Sequence, residues 1–145
     1  MIEVSGTVSR DLKAYIQRVA EYLNLDLYDP YYELDIVREC AQKAGGYCHG
    51  DENDIQIEIA RYDAGGKVPR DHMKINIAHE LIHAQQIASG RLENGGFFVN
   101  REGGAETLAY RHVFDGVEYI NCPYEDQPWE HEAYQREEEV YQACR

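Results

Sequence analysis

The segment INIAHELIHAQQIASG, residues 75–90, sets two histidines four positions apart around a glutamate inside an otherwise apolar run. Four positions is just over one helical turn, so His79 and His83 share a face, whereas Glu80 is rotated about 100° from His79. On the same wheel Met73, Ile77, Leu81, Ala84 and Ala88 gather opposite the histidines, and Ile75, Ala78 and Ile82 form a second apolar stripe. Little beyond Lys74 and Gln85 is left for water. A largely buried helix over 70–89, stopped by Gly90, is therefore predicted. Two imidazoles and a carboxylate taken out of water are costly unless partnered. A single cation would satisfy all three: both rings can reach one zinc ion, and Glu80 can bond a water beside it as a general base. The competing reading is a pair of core histidines satisfied by protein groups.

Working outward, DIQIEIAR places Ile55, Ile57 and Ile59 on one face and Gln56 and Glu58 on the other, the pattern of a half-buried strand. YYELDIVREC alternates in the same way through Leu34 and Ile36. Ser9 is a plausible N-cap for a first helix with Leu12, Ile16, Val19, Ala20 and Leu23 on one side. KAGGYCHGDEN and YDAGGKVP carry turn chemistry and read as loops. HVFDGVEYI reads as a hairpin on an Asp115-Gly116 turn. Pro128 suits the first position of a closing helix, PWEHEAYQREEEVYQAC. The order is helix, two or three strands, helix, irregular segment with a hairpin, helix: an α+β arrangement in a single domain, residues 1–145.

The chain has 145 residues and a formal charge of −13, with 12 tyrosines and four cysteines. Acidic residues are thickest at Glu137, Glu138 and Glu139. Such a surface repels phosphate backbones, so nucleic acid and anionic membrane are poor partners. The start MIEVSGTVSRDLKAY lacks the build of a secretion signal, and no run reaches membrane-spanning length. A cytoplasmic location is the expectation. Cys40, Cys48, Cys122 and Cys144 form no CxxC pairs and read as reduced thiols, Cys40 and Cys48 being the one pair close enough to check.

Two histidines hold zinc poorly, so a third protein ligand is expected, with the fourth position left for water. The motif runs on as HAQQIAS, without the third histidine that would complete the set locally. Glu130 borders the inward stripe of the closing helix formed by Trp129, Ala133, Val140 and Cys144. Glu132 points further out and has Arg136 four residues on, a surface-pair spacing. Glu130 is thus the leading candidate, Glu106 in GGAETLAY its rival, and His112 and His131 weaker ones. His72, in a first turn, is expected to be solvated. Tyr110 and Tyr124 are candidate phenol donors to an oxyanion, though packing explains a tyrosine at least as readily.

The chain resembles a small zincin metallopeptidase. AGGYC leading into IQIEIA, followed by INIAHELIHAQQ, is similar to the hairpin, upper strand and active-site helix of SprT-like peptidases. PWEHEAY resembles the Glu-x-x-Ala element through which gluzincin-type families supply their third ligand, and the likeness spans about residues 34–134. Gluzincins often carry Asp or Asn four residues after that glutamate, where this chain has Tyr134. The resemblance implies a zincin-like fold, a small mixed or antiparallel sheet packed on an active-site helix with a C-terminal helix. It also implies zinc held by His79, His83 and Glu130, Glu80 as general base, and peptide or protein substrates. Residues 55–59 are expected to pair with an extended peptide. The basic DNA-binding parts of some SprT-like enzymes have no counterpart here. A zinc-binding protein without turnover and a hydrolase of non-peptide amides remain the alternatives.

Overall fold

A computed structural model of the chain describes residues 2–100 and 106–145. Its elements in order are β1 (Glu3–Ser5), α1 (Arg10–Tyr22), β2 (Tyr31–Val37), β3 (Gly46–Gly50), β4 (Asp54–Ala60), β5 (Tyr62–Asp63), β6 (Gly66–Lys67), α2 (Arg70–Ala88), β7 (Leu92–Asn100), β8 (Thr107–Phe114), β9 (Val117–Ile120) and α3 (Pro128–Cys144). Among the described residues the protein is an α+β fold with three α-helices and mixed sheets. Among the described residues no helix is long and apolar enough to cross a membrane.

The main sheet runs β1-β2-β4-β3, parallel throughout except at β3, which is antiparallel to β4 and forms an edge. Period-two patterning explains its placement. Tyr32, Leu34 and Ile36 on β2 and Ile55, Ile57 and Ile59 on β4 are all buried, and Leu34 stands beside Ile57 in register. Glu33, Asp35, Gln56 and Glu58 alternate with them on the other face. The buried face packs on the helices through one continuous core that takes in Tyr15, Ile16 and Val19 of α1, Ile77, Leu81 and Ile82 of α2, and Trp129, Ala133 and Val140 of α3.

Ser9 caps α1, its hydroxyl oxygen accepting from the Leu12 N–H at 3.2 Å. Helix α2 is buried on nearly every side, including Ile77, Ala78, Leu81, Ile82, Ala84 and Ile87. It ends as predicted, with Gly90 at φ +79° and its N–H bonded to the Ile87 carbonyl at 3.0 Å. The Asp115-Gly116 hairpin is also present, with both residues at positive φ (50° and 81°) between paired Phe114 and Val117.

Four segments depart from the sequence reading, the first being Glu3–Ser5, which forms β1 beside β2 ahead of the first helix. KAGGYCHGDEN is not simply a loop, because residues 46–50 are the edge strand β3. YDAGGKVP closes into the small β5–β6 hairpin. The segment expected to be irregular supplies β7, which joins β8 and β9 in a three-stranded antiparallel sheet with a bulge between Asn94 and Gly96. The position of β3 also corrects the pairing expected of residues 55–59. Strand β4 has β2 on one side and β3 on the other, so its backbone is already paired, and the sheet edge on the side of α2's Glu80 belongs to β3.

Candidate metal centre

The centre forms where α2 meets α3 beneath β3. His79 and His83 present their Nε2 atoms to each other at 3.2 Å, with the rings edge to face at 82°. Glu130, in the first turn of α3, spans the pair: one carboxylate oxygen lies 3.0 Å from His79 Nε2 and the other 2.8 Å from His83 Nε2. Ligands about 2.0–2.1 Å from a tetrahedral zinc stand roughly 3.3 Å apart, so these three donors are already spaced for one ion. The Glu80 carboxylate stands further back, within 4.8 Å of the imidazole ligand atoms, and His79, Glu80 and His83 form a buried group that could hold a metal ion. Direct contact with both rings favours Glu130 as the third ligand, and the set-back position of Glu80 suits a residue that bonds a water.

The remaining imidazole nitrogens are tied down. His79 Nδ1 lies 2.8 Å from a Glu137 oxygen, which can only accept, so this nitrogen donates, and Nε2 is the atom left to ligate once the ring is neutral. Gln86, fully buried, donates through its amide to the Trp129 carbonyl at 3.0 Å and to Glu132 at 3.1 Å. Its oxygen therefore faces His83 Nδ1, which donates to it at 2.8 Å. Groups that fix the outer nitrogen of a metal-binding histidine orient the ring and select the tautomer whose Nε2 is free to ligate. Glu132 is not the solvated residue expected. Arg91 grips both its oxygens, at 2.8 and 2.6 Å, while Arg136 stands at 3.8 Å.

Without a cation the three donors share protons. Burial opposes charge on His79, but hydrogen bonds to Glu130 and Glu137 override it and raise its pKa to about 10. His83 is likewise raised against burial, chiefly by Glu130. Burial by itself would raise Glu130, yet the two imidazoles hold it well below the usual carboxylate range. Burial pushes Glu80 upward against the opposing pull of His83 and His79, making it a stronger base than an exposed glutamate. A metal cation supplies the positive charge that these carboxylates otherwise draw from protonated imidazoles.

Strand β3 crosses above Glu80 at very short range. A Cβ built on Gly46 would lie 2.7 Å from Glu80 Cγ, and one on Gly45 would lie 2.6 Å from the Asn76 amide nitrogen. The two glycines are where the sheet edge touches the helix. Two cavities of about 570 and 360 Å³ flank this crossing and meet at Ala44, Gly46, Glu80 and Tyr124. The larger lies on the His83 side and the smaller on the His79 side.

The other sequence candidates separate clearly. Glu106 is exposed just before β8 and lines neither cavity. His131 is exposed, with its Nε2 bonded to the Glu125 carbonyl at 2.6 Å. His112 stacks on Trp129 with centroids 4.4 Å apart and forms a wall of the larger cavity. His72 is exposed at the rim of the smaller one. Tyr124 is not packing material: its hydroxyl donates to Glu130 at 3.1 Å and contacts the Tyr134 hydroxyl at 2.7 Å, on the cleft wall facing Glu80. Tyr134, in the position where gluzincins often have Asp or Asn, lays its ring against His79 at 4.6 Å. All four cysteines are free; burial, with Glu80 and Glu130 nearby, holds the Cys48 thiol protonated, and burial raises Cys40 to about 11.

Gln86 and Glu137 were not assigned to the centre by spacing, whereas Tyr124 is one of the two candidate phenol donors. Gln86 alone left a trace, as an amide three residues after His83 on the motif's own helix. Comparison with protein-family models, with curated proteins and with solved structures finds no match to this chain.

Proposed function

We propose that the chain is a zinc-dependent metallopeptidase on a zincin-like scaffold, with His79, His83 and Glu130 as zinc ligands and Glu80 as general base. The observation that carries this reading is the convergence of two oriented Nε2 atoms and one carboxylate at ligand spacing, next to a second, buried carboxylate that contacts neither ring directly. Imidazole and carboxylate donors in a three-ligand set suit zinc with one position left open. Zinc bound there would bring the pKa of its water towards 7 and polarise a carbonyl.

Each residue then has a task. Glu80, raised in pKa by burial, takes the proton from the attacking water and returns it to the leaving amine. Tyr124 presents a phenolic donor at the junction of the two cavities, where the carbonyl oxygen gains negative charge. Glu137 and Gln86 hold the two rings in orientation. Peptide is the favoured substrate because β3 pairs only with β4 among the described residues and lines both cavities, offering free backbone N–H and C=O groups to an extended chain.

The test is a peptide-library digest with and without a chelator, run on the wild type and on Glu80→Gln. Chelator-sensitive hydrolysis by the wild type, lost in Glu80→Gln with zinc content unchanged, is expected. Zinc binding with no hydrolysis of any peptide would leave a silent zinc-binding protein instead.

A further inference from the structure

The larger cavity does more than give access to the centre. It is walled by Ile87 at the end of α2, Leu92 on β7, Tyr110 and His112 on β8, and Trp129 on α3. The aromatic rings form a contiguous array: His112 lies 4.4 Å from Trp129 and 4.6 Å from Tyr110, both tilted, and Tyr119 meets Trp129 edge to face at 5.5 Å. Among the described residues no Lys or Arg lines this space, and its only carboxylates are Glu80 and Glu130, both committed to the centre. Burial lowers the pKa of His112, so its ring is neutral at physiological pH. At about 570 Å³ the space is of the size that takes a small ligand or a large side chain, for which pockets run to about 300–1,000 Å³. The smaller cavity differs in kind: it carries His72, Asn76 and Glu137.

From this we infer that the larger cavity is a specificity pocket that selects an aromatic or large aliphatic side chain on the His83 side of the scissile bond. The inference rests on the peptidase reading and deepens it. An acidic side chain entering there would find no counter-charge and would face Glu80 and Glu130. A lysine or arginine would leave its charge against aromatic walls, with no carboxylate free to pair with it. A phenyl or isobutyl group would lie against Ile87, Leu92 and the His112–Trp129 pair, while Asn94 and Gln127 on the same wall keep the partners they have in the Tyr110 hydroxyl and the Cys122 carbonyl.

Trp129 is the only tryptophan in the chain, so its fluorescence reports directly on occupancy of this cavity. Zinc-loaded Glu80→Gln protein would be titrated with capped peptides acetyl-Ala-Ala-X-Ala-Ala-amide, X being Phe, Leu, Lys or Asp. In parallel, wild-type enzyme would digest a mixed peptide library and the new termini would be sequenced. Phe and Leu peptides are expected to perturb Trp129 and to bind at least about tenfold more tightly than Lys or Asp peptides, the discrimination an apolar pocket can supply. One side of the cleavage site should be enriched in aromatic and large aliphatic residues. In His112→Glu the preference should move towards Lys and Arg, whereas His112→Phe should keep it; circular dichroism checks that both variants fold. Equal binding across the series, or hydrolysis without residue preference, overturns the pocket and leaves the peptidase standing. Selective binding of Phe and Leu peptides with no hydrolysis by the wild type keeps the pocket and overturns the peptidase. The wild-type digest and the unsubstituted series decide the matter even if His112→Glu does not fold.

Discussion

Replacing Gly46 with alanine tests the crossing of strand and helix on which the general base depends. The added Cβ would stand 2.7 Å from Glu80 Cγ and 3.3 Å from both Glu80 Cδ and the Glu58 carbonyl oxygen, where ordinary contact begins near 3.4 Å. About 0.7 Å must therefore be found, and the Glu58 oxygen on the paired strand β4 limits retreat of the backbone. Glu80 has to move. Overpacking of this kind costs about 1–3 kcal/mol of stability, and displacing a catalytic group by about 1 Å can slow turnover by roughly 100-fold. His79, His83 and Glu130 lie outside the clash, so zinc content should be unchanged. Gly66→Ala is the control, since Gly66 has φ +100° with nothing within 4 Å of the added Cβ. It should cost about 1–2 kcal/mol of stability without changing kcat. The assay is kcat on a cleavable peptide, with metal content by atomic absorption and stability by urea unfolding. A Gly46→Ala enzyme that is folded, zinc-loaded and as fast as the wild type would refute the idea that contact with β3 sets the position of Glu80.

Other outcomes follow from the same geometry. Glu80→Gln should bind zinc normally and lose at least about 100-fold in kcat, whereas His83→Ala should lose the metal. Glu137→Ala, which frees His79 Nδ1, should weaken zinc binding about 10- to 100-fold in a competition assay with a chromophoric chelator; unchanged affinity would show that Glu137 does not orient the ring. Stability of the chelator-treated chain should depend on pH through His79, whose folded pKa is raised to about 10. The stabilisation from its charged form is complete below the ordinary histidine value near 6.5 and is lost as pH rises through about 10. Thermal melts with chelator should accordingly fall across that window while zinc affinity rises, because bound imidazole must be unprotonated. A metal-free melting temperature that climbs from pH 7 to 10 would contradict the assignment.

Features set by local spacing were legible in the sequence. The i, i+4 histidines and apolar surroundings of α2, the alternation in β2 and β4, the Asp115-Gly116 turn and the Pro128 start of α3 each follow from a short-range rule, and each is present. Glu130 could be singled out because it borders the buried stripe of its own helix. Strand β3 was hidden because Gly45, Gly46 and Gly50 signal turns, while at least two of them serve a close approach to residues some 30 positions later in the chain. In β7, Asn94-Gly95-Gly96 breaks the alternation, and the strand accommodates it with a bulge. Glu137 is one of three consecutive glutamates, and only the packing of α2 on α3 distinguishes it from its neighbours. Glu132 was misread for the same reason: Arg91, which claims it, lies 41 residues away.

Helix α3 carries both Glu130 and Glu137, so among the described residues the carboxylates bonded to the histidine pair all come from one helix. A nascent or prematurely terminated chain ending before Pro128 would possess His79, Glu80 and His83 but no acidic clasp across the two rings. On the peptidase reading, docking of α3 against α2 is what arms the centre, and loosening that one helix would disarm it.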